Sequence, residues 1–259
     1  MKSGFAMKIQ IVSDLHIDRN GTWNDSKTFP ISIPRNSQEI VLIIAGDLSS
    51  NIDDNLIVLN FYSKFYKNVI FILGNHEYDY IDINNVYSMY QKKLKKKSNI
   101  HILEKSSVTI DNVIFYGCTG WGNALLSEAI PEEIEDFGNI INFTPTKCVQ
   151  LFDESKKWIK DNFDNEMIFE HKDKKKVLIT HFAFCMKSLN FHNSPLNGYF
   201  VNEGLELLYH LPDVYIHGHT HQHLSYVYNN KTKVYCNAFG YYCGKRPVRN
   251  FNPELIIEV

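Results

Sequence analysis

The sequence predicts an α/β fold with two packed sheets in one domain, and three features predict it. Apolar, β-branched runs at Lys8–Val12, Ile40–Ala45 and Val69–Leu73 are nearly continuous, as strands buried on both faces are. A helix-patterned stretch, Asp53–Lys67, separates the second run from the third, an order that gives a parallel pair joined by a crossover. Later in the chain, short strands are paired by tight polar turns, as in a second sheet.

Each element follows from its pattern. Asp53–Lys67 carries Leu56, Leu59 and Phe61 behind a capping-type Asp and reads as a helix. Ile83–Lys97 reads as another, ending in a Lys-rich run that suits the negative end of a helix dipole. Ile100–Leu103, Val108–Ile110 and Val113–Tyr116 are short strands, with Asp111-Asn112 turning between the last two. Gly117–Gly122 is a loop carrying Trp121, which with Asn123 either packs in the core or faces a substrate. Leu125–Ile141 is acidic and irregular, a candidate short helical flap. Pro145–Phe163 is a long helix with Thr144 as N-cap and Pro145 at its first position. Val177–Thr180 and Val214–Ile216 are buried strands flanking a short helix expected at Glu203–His210. Leu224–Tyr228 and Thr232–Cys236 form a hairpin around Asn229-Asn230-Lys231, and Leu255–Val259 closes the chain as a strand.

Composition narrows the function. The chain has 259 residues, 44% of them hydrophobic, enough for a sizeable core. A net charge of −2 excludes the global basic field of a general nucleic-acid binder. The five cysteines are odd in number and lack Cys-x-x-Cys spacing, so they read as reduced thiols in a cytoplasmic protein. Cys185 reads as a small buried side chain rather than a catalytic thiol. Met1–Ala6 lacks an apolar stretch and reads as an N-terminal extension, not a signal peptide. No apolar run approaches the roughly 20 residues that span a bilayer, so no membrane partner is expected.

The chemistry is concentrated just past the strand ends. Ser13-Asp14-Leu15-His16 follows the first strand, Gly46-Asp47 the second and Gly74-Asn75-His76-Glu77 the third. His181 follows Val177–Thr180, and His217-Gly218-His219-Thr220-His221 follows Val214–Ile216. Ligand sites of α/β sheets lie at that edge. Two neighbouring divalent ions need carboxylate and imidazole donors, one carboxylate bridging. Asp14-x-His16 can offer two donors to one ion if the segment is extended, since alternate residues then point the same way. His219-x-His221 can do likewise or divide between ions. Any one of these motifs alone is commonly structural; the ordered set is not.

Asp-x-His, Gly-Asp, Gly-Asn-His-Glu, a lone His and Gly-His-x-His, running from Asp14 to His221, resemble the calcineurin-like metallophosphoesterase signature. The tail Cys236-Asn237-Ala238-Phe239-Gly240-Tyr241 is similar to a subgroup of small bacterial and phage phosphohydrolases. The resemblance implies a four-layer α-β-β-α sandwich and two divalent metal ions, Mn²⁺ first with Fe, Zn or Ni also suiting the donors. It places Asp14, His16, Asp47 and His221 on the first ion, with Asp47 bridging, and Asn75, His181 and His219 on the second. It implies hydrolysis of a phosphodiester or phosphomonoester by a hydroxide held on the metals, with His76 facing the substrate. In the protein phosphatases of the family, the carboxylate behind this histidine comes three residues after the bridging Asp. Here that position is Ser50, leaving Glu77, Asp53 and Asp79 as candidates.

The expected partner is a small phosphorylated substrate, nucleotide-like in one reading. A nuclease of the same fold is a rival, with nucleic acid the less favoured partner because no added DNA-binding segment is visible. A non-catalytic protein-binding scaffold is a rival of another class, opposed by the intact ligand positions. His217 and His223 read as neighbours of the site, Lys92–Lys97 as a solvated helix end, and Lys245, Arg246 and Arg249 as surface residues.

Overall fold

The computed structural model of the chain describes residues 6–20, 31–164, 173–189, 194–241 and 250–259. Lys245, Arg246 and Arg249 lie outside them.

Strands β1 (Lys8–Val12), β2 (Ile40–Ala45), β3 (Asn68–Ile72) and β4 (Ile100–Leu103) run parallel in one sheet. The last strand, β11 (Ile256–Glu258), pairs antiparallel with β1, giving the order β11-β1-β2-β3-β4. The second sheet holds β5 (Ser106–Ile110), β6 (Val113–Cys118), β7 (Lys175–Thr180), β8 (Val214–His217), β9 (His223–Tyr228) and β10 (Thr232–Asn237). Its order is β5-β6-β7-β8-β10-β9, parallel from β6 to β8 and through β10, with antiparallel hairpins at both edges.

Period-two alternation in each strand separates two faces and so builds the layers. Val41, Ile43 and Ala45 of β2 face Phe115, Ile179 and Ile216 of the second sheet in a core between the sheets. Ile40, Leu42 and Ile44 point the other way, onto Val58, Leu59 and Tyr62 of α1 (Ile52–Tyr62) and Val86 and Tyr90 of α2 (Val86–Leu94). On the far side of the second sheet, Leu178 and Tyr215 pack on Phe152, Ile159 and Phe163 of α4 (Pro145–Asp164). The result is two mixed sheets flanked by helices, the expected sandwich. Emptying any of these fully buried positions, as in Ile43→Ala, costs about 2–5 kcal/mol.

Three elements differ from expectation. The first helix ends at Tyr62, where Ser63–Tyr66 break into turns, and the second begins only at Val86. The helix expected at Glu203–His210 is a single 3-10 turn, Leu205–Leu207. There the Glu206 carboxylate accepts from the amides of Gly204 and Met186, so side-chain bonding competes with the helical ladder. The flap contains the short helix α3 (Glu135–Asn139), which meets α5 (Asn197–Phe200) through Asp136–Tyr199 and Phe137–Tyr199 beside the site.

Candidate active site

The loops leaving β1, β2, β3, β7 and β8 converge, and backbone bonds lock them together. Asp14 N donates to Gly46 O at 3.0 Å, His16 N to Asp47 O at 3.0 Å, and Gly218 N to His181 O at 3.0 Å. The segments are not extended as expected. Asp14, His16, Asp47, His219 and His221 all have left-handed backbones, with φ of 53°, 40°, 54°, 63° and 47°. Each left-handed residue bends the chain, and the bends aim alternate side chains at one point. Non-glycine residues pay for that conformation, which concentrates at functional sites. Two glycines make the approach possible. A Cβ at Gly46 (φ +87°) would overlap the His181 ring, and one at Gly74 would overlap the Asp47 carboxylate.

The side chains form two groups that share Asp47. Donor atoms of Asp14, His16, Asp47 and His221 lie within 4.8 Å of one another, as do those of Asp47, His181 and His219. Asp47 Oδ2 is 3.6 Å from His16 Nε2 and 3.2 Å from His181 Nε2. Asp14 Oδ1 is 3.4 Å from His221 Nε2, and His16 Nε2 is 3.1 Å from His221 Nε2. Asn75 Oδ1 joins the second group, 3.1 Å from His181 Nε2. The two histidines of His219-x-His221 thus fall in different groups.

This arrangement fits a pair of divalent ions. His219 Nε2 is buried without a hydrogen-bond partner, a costly state for a polar atom that a cation would relieve. The His219 ring is clamped between Phe182, with centroids 3.9 Å apart, and Phe200, at 4.6 Å. Burial lowers the pKa of His16 to about 3, and burial with the His181 charge lowers that of His219, keeping both imidazoles neutral as ligands must be. Burial alone would raise the pKa of Asp14, but the His221 hydrogen bond and nearby imidazole charges hold it at about 2. His181 shows the opposite balance in the chain without a cation: burial is outweighed by Asp47 and its pKa rises to about 10, so a cation at Nε2 would take the place of that proton. Its Nδ1–H donates to Ala45 O at 2.9 Å, so Nε2 is the atom turned to Asp47 and Asn75.

Around these groups stands a shell of further polar side chains, Glu77 from the motif after β3 and two residues from outside every motif. Glu77 Oε2 accepts from the amides of Gly74 and Asp47 at 2.6 and 2.9 Å, and Oε1 from Leu48 and Ser49 at 2.7 and 3.3 Å. Asp136 of α3 accepts from Asn75 Nδ2 at 2.9 Å and from the Tyr199 hydroxyl at 2.6 Å. Neither Asp136 nor Tyr199 stood in any sequence motif.

His76 lies beside both groups. Its Nδ1 is 2.8 Å from Asp79 Oδ2, and its Nε2 is 3.0 Å from the Tyr241 hydroxyl. Asp79 is therefore the carboxylate behind this histidine. Glu77 is occupied by backbone amides, and exposed Asp53 pairs with Lys93. Burial would depress the His76 pKa, but Asp47 and Asp79 outweigh it and raise it to about 9. Arg19, unnoticed in the sequence although it follows Asp14-x-His16 closely, donates to Asp79 Oδ2 at 3.2 Å and to the Tyr241 hydroxyl at 3.2 Å.

A pocket of about 480 Å³ opens over this centre. Arg19, His76 and Tyr241 line one side, while Ile134, Tyr199 and Phe200 with Glu133 and Glu135 line the other. Trp121 is not among the lining residues; it is buried against Tyr78, Phe143 and Phe182. Asn123 caps Leu125 instead of facing the pocket. His217 is buried on Ser188 Oγ at 2.8 Å, and His223 meets Asn237 Oδ1 at 3.0 Å, so neither joins a metal group. Cys185 is fully buried and its pKa is pushed up to about 11, chiefly by burial, which leaves it an inert thiol.

Comparison with known proteins bears on the family and the fold. Over 284 aligned positions the chain is 25% identical to the uncharacterized protein L509 of Acanthamoeba polyphaga mimivirus, covering 97% of this chain and 96% of that one. The crystal structure of phosphopantetheinyl hydrolase (PptH) from Mycobacterium tuberculosis superposes with a TM-score of 0.70. That match covers 99% of this chain and 96% of the other at 14% identity, a likeness of fold. The profile of the calcineurin-like phosphoesterases matches residues 7–223, and with the two groups meeting on Asp47, the chain belongs to the calcineurin-like phosphoesterase family.

Proposed function

We propose that this protein is a two-metal phosphoesterase acting on a small phosphorylated substrate. Asp14, His16, Asp47 and His221 would hold one divalent ion and Asp47, Asn75, His181 and His219 the other, with Asp47 common to both groups. The observation that carries this reading is the sharing of Asp47 by two groups whose donors each fall within 4.8 Å. When bound, the ions supply positive charge that draws in a phosphate and lowers the pKa of water at neutral pH. Mn²⁺ suits the mixed oxygen and nitrogen donors, and Fe, Zn or Ni would also fit them.

The chain's own residues supply position and a proton. The Tyr241 hydroxyl shows where an oxygen fits between two donors, 3.0 Å from His76 Nε2 and 3.2 Å from Arg19 Nη1. A substrate oxygen at that place receives both. Asp79 holds His76 by Nδ1 and favours its charged form, so Nε2–H can pass to the leaving oxygen as the ester bond breaks. Without a carboxylate there, the two cations would drive the imidazole neutral and leave it a poor acid.

The pocket favours a small molecule over a polymer. Its volume is that of a small-ligand site. Ile134, Leu196 and Phe200 offer apolar contact to a leaving group, while exposed Glu133 and Glu135 on the rim repel a run of phosphates. This weighs against the nuclease reading. The four described cysteines are all free and buried, which suits a reducing, cytoplasmic location. Among the described residues, no helix is long and apolar enough to cross a membrane.

The test is hydrolysis of bis-p-nitrophenyl phosphate and p-nitrophenyl phosphate after chelation and Mn²⁺ re-addition, beside Asp47→Asn. A pantetheine phosphoester belongs in the panel because the similar structure is named for that group. Metal-dependent release that Asp47→Asn lacks supports the proposal; a protein that binds no metal ion refutes it.

A further inference from the structure

The geometry points to Asp136 as the positioning residue of the second metal group: it orients the Asn75 amide so that Oδ1, not Nδ2, faces the metal. This rests on the proposed ligand role of Asn75 and deepens it. An Asn side chain has one acceptor end and one donor end, and only the oxygen end binds a cation. Asp136 Oδ1 takes the Asn75 Nδ2–H at 2.9 Å, which leaves Asn75 Oδ1 directed at His181 Nε2, 3.1 Å away. Rotating the amide by a half-turn would set Asn75 Oδ1 against Asp136 Oδ1, acceptor on acceptor, and turn an NH₂ toward the metal. Asp136 thus removes the wrong orientation.

Asp136 is itself held in place. Its Oδ2 accepts from the Tyr199 hydroxyl at 2.6 Å, so the carboxylate cannot swing away from Asn75. It is 4% exposed, and among the described residues no Lys or Arg pairs with it. Burying a carboxyl group without a counter-ion is costly for stability alone. Its two contacts are both donors, and one belongs to a candidate ligand.

The position of Asp136 adds a consequence. It sits on α3, whose end is tied to the chain after His76 by Tyr80 N to Asn139 O at 2.8 Å and Ile141 N to Ile81 O at 3.1 Å. The same segment supplies Glu133, Ile134 and Glu135 to the pocket wall. Seating of this wall and filling of the second metal group are therefore linked, and each favours the other by the same factor.

The experiment is calorimetric titration of metal-free protein with Mn²⁺, with apparent melting temperature recorded for every variant. Wild type is expected to take up two ions. Asp136→Leu keeps the first and binds the second about 10–100-fold more weakly, as loss of a ligand's supporting partner does. Asn75→Ala reproduces that selective loss, and Asp136→Asn, which keeps an acceptor oxygen for Asn75, restores most of the affinity. A second measurement follows amide exchange: Mn²⁺ slows it at residues 131–139 in wild type and does not in Asn75→Ala. Wild-type affinity for the second ion in Asp136→Leu, or unchanged exchange at 131–139 on metal loading of wild type, overturns the inference. Failure of wild type to take up two ions overturns the metal-centre reading instead, so the two failures are distinct.

Discussion

Glu77 Oε2 accepts a hydrogen bond from the Asp47 amide at 2.9 Å while the same oxygen accepts from Gly74 at 2.6 Å. One carboxylate thus clamps the loop after β2 to the loop after β3 and sets the spacing between Asp47 and Asn75. The isosteric change Glu77→Gln turns an NH₂ toward backbone N–H groups that need an acceptor. Leaving such donors unmet in a buried site is expected to cost about 2–3 kcal/mol. Chemical denaturation should show that loss together with weaker binding of both ions; unchanged stability would mean the clamp is dispensable.

The pairing of His76 with Asp79 makes a kinetic prediction. His76→Ala should retain two metal ions and lose about 10²–10⁴-fold in turnover, the range of a general acid. The loss should be larger for alkyl esters than for p-nitrophenyl esters, whose leaving group needs no proton. Asp79→Asn should show the same dependence on leaving group in weaker form. Equal losses across leaving groups would limit His76 to a hydrogen-bond donor.

Metal removal should change stability as well as activity. Asp14, Asp47 and Glu77 are buried within one site, so bound cations stabilise the folded chain. At a free Mn²⁺ concentration about 100-fold above the dissociation constant, one site contributes about 2.7 kcal/mol. Thermal unfolding with chelator and with Mn²⁺ checks this, and His219→Ala should respond less to Mn²⁺ than wild type does.

Asp164 gives a pH prediction away from the site. It is the last residue of α4, and its carboxylate accepts from the amides of Tyr209 and His210 at 2.8 and 3.1 Å, with Lys160 one helical turn earlier. Slight burial would raise its pKa, but Lys160 and these amides outweigh it and pull it below the usual range. A depressed carboxyl pKa stabilises the fold above the unfolded-state value and loses that contribution as pH falls through the folded one. Asp164→Ala should therefore be less stable than wild type at pH 7, with the difference shrinking in acid. A gap that stays constant to acid pH would contradict the assignment.

Much of this was legible because it is local. Lys8–Val12 and Ile40–Ala45 are strands at the residues expected, since β-branched runs of that length have few other uses. Asp14, Asp47, Asn75, His181, His219 and His221 meet because each lies just beyond a strand. What was not legible depends on chain crossings. Asp79 and Glu77 are near neighbours of His76 with similar chemistry, and only the turn after β3 decides which one meets the ring. Asp136 and Tyr199 are 63 residues apart, and nothing in either local pattern marks their contact with each other. The left-handed backbones were likewise not legible, because Asp and His, although enriched in that region, adopt other conformations at most positions.

Those left-handed residues set stability against activity. At Asp14, His16, Asp47, His219 and His221, glycine would fit the backbone with less strain than the residue present. Glycine at these positions would therefore relax the metal-free chain while removing the donor that a cation would use. The sign of the stability change thus depends on what is dissolved with the protein: with chelator such variants gain, and with saturating Mn²⁺ they lose the stabilisation that binding supplies.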